Sequence, residues 1–251
     1  MLMHIVRIAA TRKDKWLFSR LLFLEKLELL LKLRDDARVH WAGRFRPPLE
    51  GQPVYPRPSQ KKLPIWLGVG GTPASFARAG ELGLPSMVAI IGGQPHRFKP
   101  LVDLYHQAGA EAGHPTESLR VGIHALGYVA DTDQQAAAEF FPGYAQSFTE
   151  IGKERGWGPV TRSQYDALRG ARGASLVSEP KRVVEKIRAF DESLGGISRL
   201  TFQMSIASLP HRNRMRAIEL LGTKVVPELR SAGSLPTGNT SLVDRAADKN
   251  V

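Results

Sequence analysis

The apolar positions divide the chain at about residue 62, where their period changes. Beyond that point, short apolar runs closed by glycine alternate with longer stretches whose apolar residues recur every three or four positions. "LPIWLGVGG" (63–71), "PSMVAIIGG" (85–93), "LRVGIHALGYVAD" (119–131) and "SRLTFQMSIAS" (198–208) predict four strands, the first continuous enough to be buried on both faces. Between and after them, "TPASFARAGELG" (72–83), "RFKPLVDLYHQAGAEAG" (97–113), "SEPKRVVEKIRAFDESLGG" (178–196) and "LPHRNRMRAIELLGTKVVPELR" (209–230) predict helices. The first of these opens on Thr72 and Pro73 and stops at Gly83, the expected cap and breaker residues. Strand followed by helix, repeated, is the signature of a parallel sheet with right-handed crossovers.

Three segments break this rhythm. Residues 1–62 combine a leucine-rich helix, "WLFSRLLFLEKLELLLKL" (16–33), with a proline- and arginine-rich extended loop over 34–62. Trp16, Phe18 and Phe23 fall inside that helix and are expected in its core. Residues 131–177 insert helical content between the third strand and its returning helix. Residues 231–251 are polar and predict a disordered tail. The domain reading is therefore 1–62, then 63–230 with an insertion at 131–177, then the tail.

Composition narrows the chemistry. The 251 residues contain no cysteine, which removes disulfides, thiolate metal sites and cysteine nucleophiles. The net charge is +11, and residues 1–62 carry most of it, with 14 Lys and Arg against 6 Asp and Glu. A nucleic-acid partner would want that charge interleaved with exposed aromatics, and here the aromatics fall among leucines. The leucine-rich helix carries Arg20, Glu25, Lys26, Glu28 and Lys32, so it does not read as a membrane span. The short apolar "MLMHIV" leads straight into basic residues rather than a cleavage site, and a cytoplasmic location is the expectation.

The chemically suggestive stretch is "LGVGGTPASFARAG" (67–80). A P-loop would need Lys then Ser or Thr after its last glycine, and Thr72-Pro73 follows instead. A dinucleotide fold would need a Gly-x-Gly-x-x-Gly turn and an acidic residue about 20 positions on. The next strand ends in "AIIGG", with no carboxylate. The remaining scheme is a (β/α)8 barrel, whose phosphate groups sit at strand carboxyl ends against a helix N-terminus. Gly70, Gly71 and Thr72 occupy such an end, with Ser75 one turn into the helix. Ile91, Gly92 and Gly93, after Ile90, occupy the next. Paired glycines also serve simply as tight strand-to-helix turns, and on spacing alone both readings stand. No carboxylate pair, nucleophile-base set or metal-spaced cluster stands out, which suits chemistry carried by a cofactor.

Taken together, "FLEKLELLLKLRD", "HWAGRFRPPL", "VYPRPSQKKLPIWLGVGGTPASFARAGELGLPSMVAIIGG" and "GISRLTFQMSIASLPHRNRMRAIELLGTKVVPELR" resemble the luciferase-like family of flavin-dependent monooxygenases over residues 24–230. The resemblance implies a (β/α)8 TIM barrel and reduced FMN, delivered by a flavin reductase. With O2 it oxygenates an aldehyde, sulfonate, alkane or similar small molecule. Some members use a deazaflavin for hydride transfer instead. It implies flavin contacts at Gly70, Gly71, Thr72, Ser75, Ile91, Gly92 and Gly93. His96, Arg97, Gln203 and Ser205 are candidates to line the substrate side. His124 reads as an interior hydrogen-bonding residue and His211 as structural. Because the match begins at the helix after the family's fourth strand, the expectation is the C-terminal half of a barrel, with "HIVRIA" its one further short strand. Such a half would expose sheet edges and favour a homo-oligomer. The alternative reading is a non-catalytic flavin-binding or oligomerising remnant. Ser178-Glu179-Pro180 replaces the family's glycine-led turn, and strain is expected at Ser178.

Overall fold

The computed structural model describes residues 12–60 and 62–231. It divides into two compact units, residues 1–64 and 65–251. The expected "HIVRIA" strand and residues 232–251 of the tail lie outside the described residues, as does the side chain of Trp16.

The first unit contains helix α1 (Arg12–Asp35) and an antiparallel hairpin of β1 (Arg38–Trp41) and β2 (Leu49–Pro53). The hairpin corrects the reading of 34–62 as loop. In "RVHW" the alternation is present, with Val39 and Trp41 buried, but β2 holds Gly51 and ends in Pro53, residues that strands avoid. Pairing, not propensity, makes β2 a strand. Leu29, Val39 and Trp41 form the core of this unit, with Leu33 and Leu49 packed against it. The Glu25 carboxylate accepts from the backbone N–H groups of Arg44 (2.6 Å) and Phe45 (2.9 Å), fixing the loop after Trp41. Here a second expectation fails. Phe18 is 54% exposed and Phe23 43%, and Leu17, Leu21 and Leu30 are exposed too. Apolar residues run all round α1, and a helix of that kind cannot bury every face against one small hairpin.

The second unit is a five-stranded, all-parallel sheet: β3 (Leu67–Val69), β4 (Ser86–Ile90), β5 (Val121–Val129), β6 (Leu176–Ser178) and β7 (Arg199–Gln203). Helices α2 (Pro73–Glu81), α3 (Lys99–Glu111), α6 (Pro180–Leu194) and α7 (His211–Leu220) return the chain between strands, and α7 runs through a π turn into α8 (Val226–Ser231). β5 is the hub. Its first half pairs with β4 on one edge and β7 on the other, and its end, Gly127–Val129, pairs with β6. Four strands were expected here. β6 was missed because three residues are too few to show a period.

Alternation sorts the sheet into two faces. Leu67, Val69, Ser86, Val88, Ile90, Val121, Ile123 and Ala125 are all buried, pointing to the helices. The opposite face carries Met87, Ala89, His124, Thr201 and Gln203, each only half-buried, with Gly68 exposed. In a closed barrel that second face is the interior. The sheet of the described residues is an open arc, so the fold is part of a TIM barrel.

The insertion is two helices, α4 (Asp133–Arg155) and α5 (Arg162–Arg169). α4 starts where the Thr132 hydroxyl accepts from the Gln135 N–H and ends at Gly156, whose φ of +71° only glycine adopts freely. α5 begins with a reciprocal capping box between Thr161 and Gln164. Phe140, Tyr144 and Tyr165 bury themselves with Leu126 and Tyr128 of β5, so the insertion is clamped over the carboxyl end of the sheet.

Candidate functional site

A cavity of about 590 Å³ opens at the carboxyl ends of β4 and β7. Ile91 and Gly92, just past β4, contribute from the sheet, with Gln203 at the end of β7 and Ile206 in the turn after it. The insertion supplies the rest. Tyr144, Phe148, Ile151 and Arg155 follow one another at steps of four, three and four, a single face of α4. Gly156 then reverses the chain so that Trp157–Val160 fold back along that face, and Gln164 and Leu168 of α5 complete the wall. The reversal is held by the Trp157 N–H donating to the Gly152 carbonyl (2.9 Å) and the Val160 N–H donating to the Thr149 hydroxyl (3.2 Å).

Polar groups under the cavity connect to the sheet. The ring nitrogens of His124 lie 2.7 Å from the Thr201 hydroxyl and 3.3 Å from the Gln203 side-chain oxygen. His124 is thus the interior hydrogen-bonding residue its mid-strand position suggested, and it orients Gln203 toward the cavity.

The roof is pinned by buried charge. Arg169, at the end of α5, donates to the Val177 carbonyl (3.0 Å) and to the Asp133 carboxylate (2.7 Å), which also receives the Ser178 hydroxyl. Burial pushes the Asp133 carboxyl up, but the hydrogen bonds from Ser178 and Arg169 outweigh it and hold the group below the ordinary carboxylate value. Ser178 is not strained: Ser208 is the one non-glycine residue with positive φ among those described. Its hydroxyl is engaged instead. Lys186 of α6 is buried, its ammonium donating to the carbonyls of Arg169 (3.1 Å), Gly170 (2.9 Å) and Ser175. Loss of solvation pushes it down to about 7, with Arg182 and Arg169 adding to the effect. The loop so held passes its Ala174 N–H to the carbonyl of Gly93 (3.2 Å), which ties the insertion to the end of β4.

Of the residues singled out from the sequence, Ile91, Gly92 and Gln203 line this cavity together. Gly93 adjoins it through Ala174. Gly70, Gly71 and Thr72 stand at the end of β3, exposed, with open space where a Cβ on either glycine would stand. Gly71 has φ +139°. Thr72 occupies the N-cap position of α2, but its hydroxyl makes no capping bond, a correction to the capping expected of it. The turn closes through backbone, Ser75 N–H to Thr72 carbonyl at 2.9 Å, and Pro73 presets the first turn. Ser75 is half-buried. His96 and Arg97 are exposed on a short 3-10 turn (Pro95–Phe98), and Ser205 is exposed at the start of another; none of the three lines the cavity. His211 opens α7. What sequence reasoning missed is the α4–α5 wall. Its signal was the stripe of Tyr144, Phe148 and Ile151, which reads as ordinary core until the sheet beneath it is placed. Among the described residues no cluster of His, Asp and Glu could hold a metal ion, and no helix is long and apolar enough to cross a membrane.

The model of the luciferase-like monooxygenase family matches residues 14–196. None of the curated proteins matches the chain. Among solved structures it is similar to the monooxygenase RslO1 from Streptomyces bottropensis, at 22% identity and a TM-score of 0.66, covering 84% of this chain and 61% of that one. It is similar also to the oxygenating constituent of 3,6-diketocamphane monooxygenase from Pseudomonas putida, a type II Baeyer-Villiger monooxygenase in complex with FMN (21%, TM-score 0.56, covering 90% and 66%). A third is the coenzyme F420 dependent tetrahydromethanopterin reductase from Methanopyrus kandleri (19%, TM-score 0.59, covering 83% and 63%). The chain thus spans about three-fifths to two-thirds of these neighbours.

Proposed function

Because the chain belongs to the luciferase-like monooxygenase family, we propose that it holds a flavin along the carboxyl ends of β3 and β4 and presents it to a small organic molecule in the roofed cavity. The observation that carries the reading is the pair of glycine turns. At Gly70, Gly71, Gly92 and Gly93 no atom stands within 4 Å of where a Cβ would be, so a flat or anionic group can approach the backbone closely. Gly70, Gly71 and Thr72 hold the phosphate, with backbone N–H groups and one uncommitted hydroxyl at the start of α2, and Ser75 adds a second hydroxyl. Ile91, Gly92 and Gly93 support the ring.

When bound and reduced, the flavin supplies the electrons that let O2 oxygenate the substrate; a flavin reductase is its source. This chain's residues do the rest. Tyr144 and Phe148 give the substrate an apolar wall, with Trp157 at its exposed end. Gln203, oriented by His124, offers a hydrogen bond to the reacting molecule. His96 and Arg97, exposed on the turn that follows the β4 end, take part only if substrate extends beyond the cavity. FMN rather than a deazaflavin is our choice.

A second reading has one observation in its favour. The exposed Leu17, Phe18 and Leu21 leave apolar surface that a second copy would cover, so a homo-oligomeric, non-catalytic flavin-binding chain is the alternative. Titration with FMN and riboflavin tests the main reading. FMN should bind more tightly, and Gly71→Asp should remove the difference by placing an anion in the phosphate position. Equal affinity for the two flavins would sink it. Binding without oxygenated product from any aldehyde or sulfonate, with reduced flavin and O2 supplied, would favour the second.

A further inference from the structure

Charge is distributed unevenly around the cavity. Arg155 is its one charged lining residue, and no Asp or Glu lines it. Neighbouring cations of the insertion are matched: Lys153 with Glu150 (2.8 Å), Arg162 with Asp166 (3.0 Å), Arg169 with Asp133 (2.7 Å). Arg155 makes no ion pair among the described residues. Its guanidinium lies over the ring of Trp157, 5.1 Å from the centroid, where the indole face orients the fork while leaving its N–H donors unspent. Below it, the wall is aromatic and apolar. Tyr144 and Phe148 lie with ring centroids 4.6 Å apart, and Trp157 faces the same space. Flat surfaces of this kind favour rings in the ligand over a flexible chain, and about 590 Å³ is the volume of a site for a drug-sized molecule.

We propose that the cavity takes a ring-bearing, otherwise apolar acid, its rings against Tyr144, Phe148 and Trp157 and its single carboxylate or sulfonate held by Arg155. This rests on reading the cavity as the substrate side of the flavin. A guanidinium can equally read a phosphate, so the anion could belong to the cofactor, and the test separates the two.

The full chain is titrated calorimetrically with 2-naphthoate and with its uncharged amide, then with FMN and riboflavin, for the wild type and Arg155→Gln. The acid should bind about tenfold more tightly than the amide, the scale of one charge-assisted hydrogen bond. Arg155→Gln should abolish that preference while leaving the amide's affinity unchanged, which also reports that the variant is folded. Added salt should weaken the acid alone. Trp157→Ala should weaken both. Equal affinities in the wild type, no measurable binding of either probe, or an equal loss of both in Arg155→Gln would overturn the proposal. Loss of FMN's advantage over riboflavin in Arg155→Gln would overturn it as well, assigning Arg155 to the cofactor phosphate. If instead the wild type shows no FMN advantage but Arg155 still selects the acid, the flavin reading fails and this one stands.

Discussion

Two strand ends in the sheet carry the same word. β3 runs out through Val69-Gly70-Gly71-Thr72, and β4 through Ile90-Ile91-Gly92-Gly93. In both, glycine leaves empty space beside the backbone, and in both one glycine has positive φ, +139° at Gly71 and +74° at Gly93. What differs is their surroundings. Both turns are exposed, and the β3 turn leads directly into α2. The β4 turn lies at the edge of a cavity whose far wall comes from residues more than fifty positions away. A turn standing alone offers backbone donors to something polar, whereas one beside an apolar wall also offers contact to something apolar. The comparison teaches that the turn fixes how closely a ligand can approach, and the roof decides which kind.

The comparison breaks if the roof is removed. Phe140 is fully buried between α4 and β5, stacked near Tyr128 and Tyr144. Phe140→Ala should cost about 3–5 kcal/mol in denaturant unfolding. It should also abolish ligand binding at the β4 end before any FMN preference at the β3 end is lost. Simultaneous loss would mean that the phosphate end of the flavin depends on the roof as well.

The roof's anchor should respond to pH. Lys186 releases its proton near pH 7 when folded and near 10.5 when unfolded. Between those values the unfolded chain holds more protons, so stability should rise with pH across that window, by an amount on the order of a few kcal/mol. Tyr105, pushed up to about 12 by burial, takes stability away again above pH 10. Lys186→Met should flatten the rise from 7 to 10 when unfolding is followed against pH. An unchanged slope would place the titrating group elsewhere.

A smaller effect is expected where the roof meets the turn after β7. A Cβ on Gly143 would stand 1.8 Å from the Ala207 carbonyl oxygen, so Gly143→Ala must push α4 away. About 1–3 kcal/mol of destabilisation is expected, with weaker binding in the cavity. Full stability and full binding would show that α4 does not press on the turn after β7.

The finest test changes each turn by one methyl group. Gly70→Ala and Gly92→Ala meet no atom within 4 Å, and neither position has positive φ, so each should alter stability by less than about 0.5 kcal/mol. Their ligands should part company: Gly70→Ala weakens FMN relative to riboflavin, and Gly92→Ala weakens the cavity ligand. Identical profiles from the two variants would erase the distinction between the turns.

Much of the sheet was legible because local physics writes it. The apolar runs that became β3, β4, β5 and β7 each end at glycine or a polar turn, and the helices after them carry their own starts, at Pro73, Pro180 and Pro210. Parallel pairing follows from that alternation. β6 and the β1–β2 hairpin were not legible. Three residues of "LVS" and the glycine and proline of "LEGQP" are strands only because a partner strand lies beside them. The exposed aromatics of α1 escaped for a related reason, since a sequence says that Phe18 and Phe23 are apolar but not whether enough surface exists to cover them.

The candidate site divides the same way. By itself the sequence determined the glycine turns, because a backbone without Cβ atoms is a property of the residues themselves. It also determined the absence of thiol chemistry and the family resemblance. Only the tertiary structure decided which turn would be roofed. Tyr144, Phe148 and Arg155 lie on one face of α4 by helical geometry alone. That this face looks onto Ile91 and Gln203 depends on Phe140 and Tyr165 packing against β5, and on Arg169, Asp133, Ser178 and Lys186 pinning the loop behind. Those contacts join residues tens of positions apart, and no local period records them.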